Sequence, residues 1–293
     1  MRSFARMMLA AVAGVLIGTG QAAAVPAWLS PEPPDVQAPQ AALADGNTGA
    51  IRWSREANTP VPIASITKVM TALVVLNSGD IDRTITVPQG IIDYDRKYGA
   101  STADLVPGEV LTARELLYAL LLPSGCDAAY TLAEAYGPGR GEFIAKMNDT
   151  ARQLGMAGTH FSDPSGLPDP TDYSTYSTPT DLVTLGLRAM SQPLFRDIVR
   201  QQSHHLPAAP GHRDHVWETT NLLLHDYPGT VGIKTGSTDA AGTCLLFEAV
   251  RLGQPLIGVV LHSSPDSDVA AQRDAEHMLN WGFGPILSAL PIG

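Results

Sequence analysis

The sequence predicts an α+β fold, with an antiparallel sheet lobe built from both ends of the chain and an all-helical lobe inserted between them. β-rich runs lie near the start, at residues 41–53, and at the end, at residues 230–262, whereas the segment between them carries helical patterns. A chain of 293 residues, 44% of them hydrophobic and 16% charged, is long enough for one large core or for two lobes that share an interface. The expected ranges are residues 25–293 for a single domain, about 40–80 and 216–293 for the sheet lobe, and about 81–215 for the helical lobe.

The first strands and the first helix follow from short patterns near the start. Residues 41–44 and 50–53 flank a turn rich in Asp, Asn and Gly, which predicts a hairpin. Residues 66–77 are apolar almost all round and are followed by Gly79. A helix without a polar face is buried, so this segment is predicted to be a central core helix.

The middle of the chain predicts a series of helices. Thr112 has Glu115 three residues later, a capping box that indicates a helix over residues 112–122. Further helices are expected at residues 128–136, 141–154 and 180–190. Residues 161–176 are expected to form a loop, and residues 201–215 are expected to be polar and irregular.

The end of the chain predicts the remaining strands. Residues 230–234, 243–251 and 255–262 are β-rich runs separated by turns containing glycine. Such runs indicate successive antiparallel strands. A helix is expected over residues 268–281.

The first 24 residues have the features of an export signal. Arg2 and Arg6 precede an apolar stretch at residues 7–18, and three alanines at 22–24 provide a cleavage point. This stretch is shorter than the roughly 20 apolar residues of a membrane span. The prediction is a secreted, extracytoplasmic protein without a transmembrane anchor after cleavage, associated with the cell wall or the outer face of the membrane.

Charge and cysteine content exclude some classes and leave one question open. The net charge of -10 argues against a nucleic-acid partner, because such proteins present a basic face. Cys126 and Cys244 are the two cysteines. In an oxidising compartment they could form a bridge or remain two half-buried thiols, and the sequence leaves both possibilities open.

Ser65 and Lys68 form the first candidate pair. Three residues apart on a helix, their side chains share one face and can hydrogen-bond. No other charge stands between Glu56 and Asp80, so Lys68 is expected to be buried. Desolvation disfavours the charged form of a lysine, which lets it act as a base toward a serine hydroxyl. A helix N-terminus at Ser65 would also favour negative charge there.

Two further motifs follow in the chain. Ser124 and Cys126 surround Gly125 at a break between two predicted helices, which places the Ser124 hydroxyl on a tight loop. Lys234, Thr235 and Gly236 end a predicted strand. A lysine and a hydroxyl at a strand edge suit a carboxylate, and a glycine leaves room for a ligand. Each motif alone is compatible with an ordinary turn or cap.

In this order the three motifs resemble the signature of penicillin-binding proteins and serine β-lactamases. Four stretches, at residues 63–72, 124–129, 166–169 and 232–238, are similar to those of the D-alanyl-D-alanine carboxypeptidase/transpeptidase family. The likeness runs from about residue 41 to residue 283. The resemblance implies an active site at the interface of the two lobes.

The resemblance also implies a function and a role for each residue. Ser65 would attack the D-alanyl-D-alanine bond of a peptidoglycan stem peptide, with Lys68 as its base and Ser124 relaying the proton to the leaving amine. Lys234 and Thr235 would hold the terminal carboxylate, and the charge of Lys234 would help to keep Lys68 neutral. The backbone N–H groups of Ser65 and Ser237 would form the oxyanion hole. β-Lactam antibiotics would act as inhibitors by acylating Ser65, and no metal or other cofactor is implied.

Two departures from the family pattern stand out. The middle motif usually ends in Asn, whereas this chain has Cys126, as in a branch of exported DD-transpeptidases that it resembles. A thiol is a weaker hydrogen-bonding group than an amide, so we hypothesise that hydrolysis is weakened and amine acceptors compete. Many relatives place an arginine after the last strand, where this chain has Ser263 to Asp266. Carboxylate recognition is then expected to rest on Lys234 and Thr235.

Three alternatives remain to be weighed. A class A β-lactamase needs a glutamate that activates the deacylating water, and residues 143–217 contain no glutamate. A catalytically silent penicillin-binding receptor would keep the motifs without turnover. His204, His205, His212 and His215 could together hold a metal, although their setting is more typical of a solvated polar loop.

Overall fold

The computed structural model describes residue 33, residues 35–265 and residues 267–289. The predicted signal over residues 1–24 lies outside this part of the chain, as does Asp266. The described part is built around a five-stranded antiparallel sheet with the strand order β2-β1-β11-β10-β9. These strands are β1 (Gln40–Asp45), β2 (Ile51–Arg55), β9 (Thr230–Thr238), β10 (Gly242–Arg251) and β11 (Gln254–Leu261).

Helices and short strand pairs fill the segment between the two halves of the sheet. The helices are α1 (Lys68–Ser78), α2 (Ile91–Tyr98), α3 (Ala113–Leu121), α4 (Cys126–Tyr136), α5 (Arg140–Gln153), α6 (Pro179–Met190), α7 (Pro193–Val199) and α8 (Leu223–Asp226). The short strands pair as β3 (Val61–Pro62) with β6 (Tyr176–Ser177), β4 (Thr84–Thr86) with β5 (Val110–Thr112), and β7 (Ser203–Leu206) with β8 (His215–Glu218). The chain continues after the sheet with α9 (Asp268–Ala289), whose backbone breaks at Gly284.

Both faces of the sheet are covered, which explains why its strands are almost continuously apolar. On one face α9 packs on β10 and β11, and Leu245 and Val260 join the core there. On the other face α6 packs on β1 and β11, and Leu246 and Val259 point into the larger core. Neighbouring residues of a strand point to opposite faces, so each pair supplies both cores.

The core helix α1 lies at the centre of the larger core. Its residues 68–75 are all buried, and it contacts α3, α4, α5 and α6. Gly79 ends the helix with a positive φ of 71°. The predicted hairpin, the capping box of Thr112 and Glu115, and the three strands near the end of the chain are also confirmed.

Two local predictions need correction. Ser65 lies in a 3-10 turn (Ala64–Thr67) that precedes the α-helix, rather than within the helix itself. Residues 201–215 were predicted to be irregular, but they contain β7 and the start of β8. The alternation of inward-facing and outward-facing residues in these strands does not show as an alternation of apolar and polar residues. Two of the inward-facing side chains are histidines, which count as polar in a sequence pattern. The rings of His204 and Tyr118 stack with their centroids 3.8 Å apart.

Sequence reasoning missed the short helices α2, α7 and α8. They contain eight, seven and four residues and therefore show little helical periodicity.

Both cysteines are free and buried, so they do not form the bridge that the sequence had left as one of two possibilities. None of the helices in the described ranges combines the length and apolar character needed to cross a membrane.

Candidate active site

A cleft of about 530 Å³ brings the three sequence motifs together. Ser65 reaches it from the turn before α1, Ser124 from the loop between α3 and α4, and Thr235 from β9. Lys68 and Lys234 are fully buried beneath its surface. The sequence-predicted residues that line the cleft are Ser65, Ser124, Cys126, Thr235, Gly236 and Ser237.

Lys68 is in direct contact with Ser65. Its Nζ lies 2.7 Å from Ser65 Oγ, within hydrogen-bond distance. The same nitrogen lies 3.3 Å from Cys126 Sγ and donates to the carbonyl oxygen of Ser165 at 3.1 Å. These three neighbours define the directions of the contacts around the Lys68 amine.

The Ser65 turn is packed between two glycines. A Cβ on Gly166 would lie 1.9 Å from the carbonyl oxygen of Ala64, and Gly166 has a φ of +86°. A Cβ on Gly236 would lie 2.9 Å from the carbonyl oxygen of Ile63 and 3.1 Å from Ser65 N. Only glycine permits such close approach of one backbone to another. The family-like stretches at 166–169 and 232–238 therefore hold the Ser65 turn from two sides.

The loop around Ser124 is fixed by backbone contacts. Ser124 has a φ of +65°, which is uncommon for a residue with a side chain. Ser101 Oγ donates to the Ser124 carbonyl at 2.8 Å, and Cys126 N donates to the Ser101 carbonyl at 2.9 Å. Strained backbone of this kind persists where the surroundings over-determine it. Ser101 thus holds the Ser124 loop in the cleft wall.

Lys234 lies on β9 with its Nζ 3.0 Å from the Thr235 carbonyl oxygen and 3.3 Å from Thr235 Oγ1. Burial lowers the pKa of Lys234 well below its ordinary value, the charge of Lys68 lowers it further, and Cys126 opposes the shift. The positive charge of Lys68 therefore disfavours a proton on Lys234.

Thr220 is a cleft residue that sequence reasoning missed. Its Oγ1 lies 2.6 Å from Thr235 Oγ1, and its backbone N–H donates to the carbonyl of Leu122 at 3.1 Å. Thr220 thereby links the strand that carries Thr235 to the segment that leads into Ser124. A threonine between two polar neighbours gives no motif, so the sequence offered no signal for it.

The four histidines do not converge on one point. His215 contacts Glu109 at 3.1 Å, His205 contacts Asp214 at 2.8 Å, and His212 Nδ1 lies 2.9 Å from the Arg213 carbonyl. His204 is stacked against Tyr118. Within the described ranges no group of three or more His, Cys, Asp or Glu side chains is placed to hold a metal ion.

Asp95 gives a pH-dependent prediction. It lies on α2, and within the described ranges its buried Oδ1 has no hydrogen-bond partner. Burial, followed by the charge of Asp127, raises the pKa of Asp95 to about 7, while Lys68 opposes the shift. The folded state therefore binds the proton more tightly than the unfolded state, so stability is lost as pH rises from about 4 through 7.

We expect Asp95→Asn to raise the free energy of unfolding at pH 8 by about 1–2 kcal/mol, a value discounted because the carboxyl is only half buried. The difference from wild type should shrink toward zero as the pH falls to 4. Urea unfolding between pH 4 and 8 measures it, with Asp93→Asn on the exposed face of the same helix as the control. A gain that did not change with pH would contradict the assignment.

Comparison with known proteins relates the chain to one family. The family model described as D-alanyl-D-alanine carboxypeptidase matches residues 28–264. A D-alanyl-D-alanine carboxypeptidase of Streptomyces sp. strain K15 is 36% identical over 282 residues, which cover 92% of this chain and 95% of that protein. The D-alanyl-D-alanine carboxypeptidase DacB2 of Mycobacterium tuberculosis is 36% identical over 251 residues, covering 85% of this chain and 84% of its own.

Solved structures give the same relationship. The crystal structure of the Streptomyces K15 DD-transpeptidase superposes with a TM-score of 0.80 at 38% identity, covering 86% of this chain and 99% of that one. A penicillin-binding protein homolog from Mycobacterium tuberculosis superposes with a TM-score of 0.78 at 33% identity, covering 92% of this chain and 99% of its own. The resemblance and the α+β fold inferred from the sequence are confirmed.

Proposed function

The chain belongs to the D-alanyl-D-alanine carboxypeptidase family of serine peptidases, and from this premise we propose that Ser65 is its nucleophile and Lys68 its general base. The observation that carries the proposal is the 2.7 Å contact between Ser65 Oγ and Lys68 Nζ at the floor of the cleft. A serine hydroxyl attacks a carbonyl readily only when a neighbouring base accepts its proton. Neither a β-lactamase nor a silent receptor is favoured by the family match.

The substrate class is a peptidoglycan stem peptide that ends in D-alanyl-D-alanine. Its terminal carboxylate would lie against Lys234 and Thr235, with Thr220 adding a second hydroxyl beside Thr235 Oγ1. The bound carboxylate favours the charged form of Lys234. As the family resemblance implies, Lys68 would accept the serine proton in its neutral form.

Acylation then proceeds through a tetrahedral intermediate. The backbone N–H groups of Ser65 and Ser237 would bind its oxyanion. Gly236, the residue before Ser237, packs against the Ser65 backbone nitrogen, which supports placing the two N–H groups near each other. Ser124 would relay the proton from Lys68 to the departing D-alanine amine. The acyl-enzyme passes to water, giving a carboxypeptidase, or to an amine of a neighbouring stem, giving a transpeptidase.

Cell-wall peptidoglycan lies outside the cytoplasm, so this function agrees with the leader pattern in the sequence. We propose that residues 1–24 are removed on export and that the mature enzyme acts at the cell wall.

One assay tests the proposed function. A peptide ending in D-alanyl-D-alanine is incubated with the protein, with and without a glycyl acceptor, and the products are separated by mass. We expect release of D-alanine, a transfer product when the acceptor is present, and a penicillin adduct on the tryptic peptide that contains Ser65. Rapid turnover of a chromogenic β-lactam without release of D-alanine would instead identify a β-lactamase.

Cys126 gives a prediction on the fate of the acyl-enzyme. The thiol is buried and lies 3.3 Å from Lys68 Nζ, where a family asparagine would offer stronger hydrogen bonds. We expect Cys126→Asn to lower the ratio of transfer to hydrolysis by about threefold to tenfold, since one stronger hydrogen bond contributes about 1 kcal/mol. Cys126→Ala separates loss of the thiol from gain of the amide. An unchanged ratio in Cys126→Asn would refute the hypothesis.

A further inference from the structure

We propose that Asp163 and Tyr94 are positioning residues that hold the carbonyl of Ser165 against Lys68 Nζ and so direct the lone pair of the base toward Ser65. The inference rests on the proposed role of Lys68 as the base. It concerns groups behind the cleft that none of the three motifs contains.

The Asp163 carboxylate organises the loop that carries this carbonyl. Its Oδ1 accepts hydrogen bonds from the backbone N–H groups of Ser165, Gly166 and Leu167 at 2.8, 2.9 and 3.1 Å. It also accepts from Ser165 Oγ at 2.7 Å. One buried oxygen therefore gathers three successive amides, which turns the Ser165 peptide so that its carbonyl points away from Asp163 and toward Lys68.

Tyr94 holds the carboxylate from the other side. Its hydroxyl donates to Asp163 Oδ2 at 2.6 Å and lies 2.6 Å from Ser165 Oγ. The residues Tyr94, Asp163 and Ser165 are all buried, and buried hydrogen bonds to a charged group are short and strong. Burial, together with the charge of Asp163, raises the pKa of Tyr94 well above its ordinary value, so its hydroxyl keeps the proton that it donates.

The loop is also attached to the helix that carries Lys68. Thr71, one turn after Lys68 on α1, donates from its Oγ1 to the carbonyl of Pro164. Successive carbonyls of the loop, at Pro164 and Ser165, are thus bound by two side chains of α1. With the loop fixed at both points, the distance from Ser165 O to Lys68 Nζ is set by the fold.

The consequence for the base follows from the chemistry of a neutral amine, which has two N–H bonds and one lone pair. Of the three contacts around Lys68 Nζ, the Ser165 carbonyl can only accept a hydrogen bond, and Cys126 Sγ can accept a second, weaker one. The remaining direction, toward Ser65 Oγ at 2.7 Å, is left to the lone pair. If the carbonyl moved, the amine could rotate and its lone pair would leave the serine hydroxyl.

The test compares acylation by benzylpenicillin in the full-length enzyme and its variants, separating the rate constant of acylation from the dissociation constant of the non-covalent complex. We expect Asp163→Asn to lower the rate constant by about 100-fold and Tyr94→Phe by about fivefold, in line with the cost of a misplaced catalytic group. The dissociation constant should change by less than about twofold, because neither side chain is among the described residues that line the cleft. In the double variant the losses should not multiply, since both residues act on one carbonyl.

Asp181→Asn is the matched control, because Asp181 is also buried and accepts from the backbone N–H of Gly158 and from Thr159 Oγ1, away from the cleft. The inference is wrong if Asp163→Asn and Asp181→Asn lower the melting temperature alike and both acylate at the wild-type rate. If Asp163→Asn does not fold, Tyr94→Phe, which keeps the aromatic ring, provides the test. A wild-type rate constant of acylation in Tyr94→Phe would overturn the inference. Lys68→Met is measured alongside, and normal acylation by that variant would refute the proposed function instead.

Discussion

Lys68→Met is expected to lower the rate of acylation by benzylpenicillin by roughly 10²–10⁴-fold, the range that loss of a general base produces. Methionine keeps most of the volume of this fully buried side chain, so the core around α1 stays filled. It removes the nitrogen that lies 2.7 Å from Ser65 Oγ. Without it the serine proton has no acceptor when the hydroxyl attacks.

The measurement is the second-order rate constant of covalent labelling, followed by mass spectrometry of the Ser65 peptide. Lys146→Met is the matched control, because Lys146 is an exposed lysine of α5 whose Nζ donates to the Tyr136 carbonyl. We expect the control to label at the wild-type rate. If Lys68→Met labelled within about tenfold of wild type, another group would have to be the base.

Gly166→Ala is expected to destabilise the protein by about 4 kcal/mol, which combines the cost of a side chain at positive φ with that of steric overlap in a packed core. The new Cβ would overlap the carbonyl oxygen of Ala64 at 1.9 Å and approach Thr67 Oγ1 at 2.7 Å. Ala64 belongs to the Ser65 turn, and Gly166 belongs to the loop that Asp163 organises. Any relief of the overlap therefore moves either Ser65, the proposed nucleophile, or the Ser165 carbonyl.

Gly155→Ala separates these two costs. Gly155 has a similar φ of +74°, but a Cβ there meets no atom within 4 Å. We expect this control to lose only about 1–2 kcal/mol and to keep its acylation rate. Chemical denaturation gives the stabilities and penicillin labelling gives the rates. Equal losses in the two variants would mean that close packing against Ala64 contributes nothing.

The residues that carry the proposed chemistry could be predicted from the sequence because their side chains form short motifs. Ser65 and Lys68 are three residues apart, and Lys234 to Gly236 follow a short apolar run, although the strand predicted to end there continues to Thr238. The buried helix α1 could also be predicted, since it has no polar face. These features are local, and local patterns are what a sequence displays.

The groups that support the site could not be found in this way. The contact from Lys68 to Ser165 spans 97 positions and uses a backbone carbonyl, which every residue possesses. Tyr94 and Asp163 are 69 positions apart, and each looks like an ordinary polar residue of a short helix or a loop. The β7–β8 hairpin was overlooked for a related reason, because stacked histidine and aromatic rings replace the aliphatic residues that usually mark buried strand positions.

The pairing of β1 with β11 has a consequence for how the enzyme matures. Gln40 lies opposite Leu261, so the first strand pairs with β2 at once but finds its second neighbour, β11, only after more than two hundred further residues have been made. Closing so long a loop is slow, and folds dominated by such distant contacts form late and cooperatively. The strand that backs the Ser65 turn, β9, joins the same sheet. A nascent chain therefore contains Ser65, the proposed nucleophile, long before the sheet that completes the cleft has formed, and activity is expected only after the whole polypeptide has been made and folded.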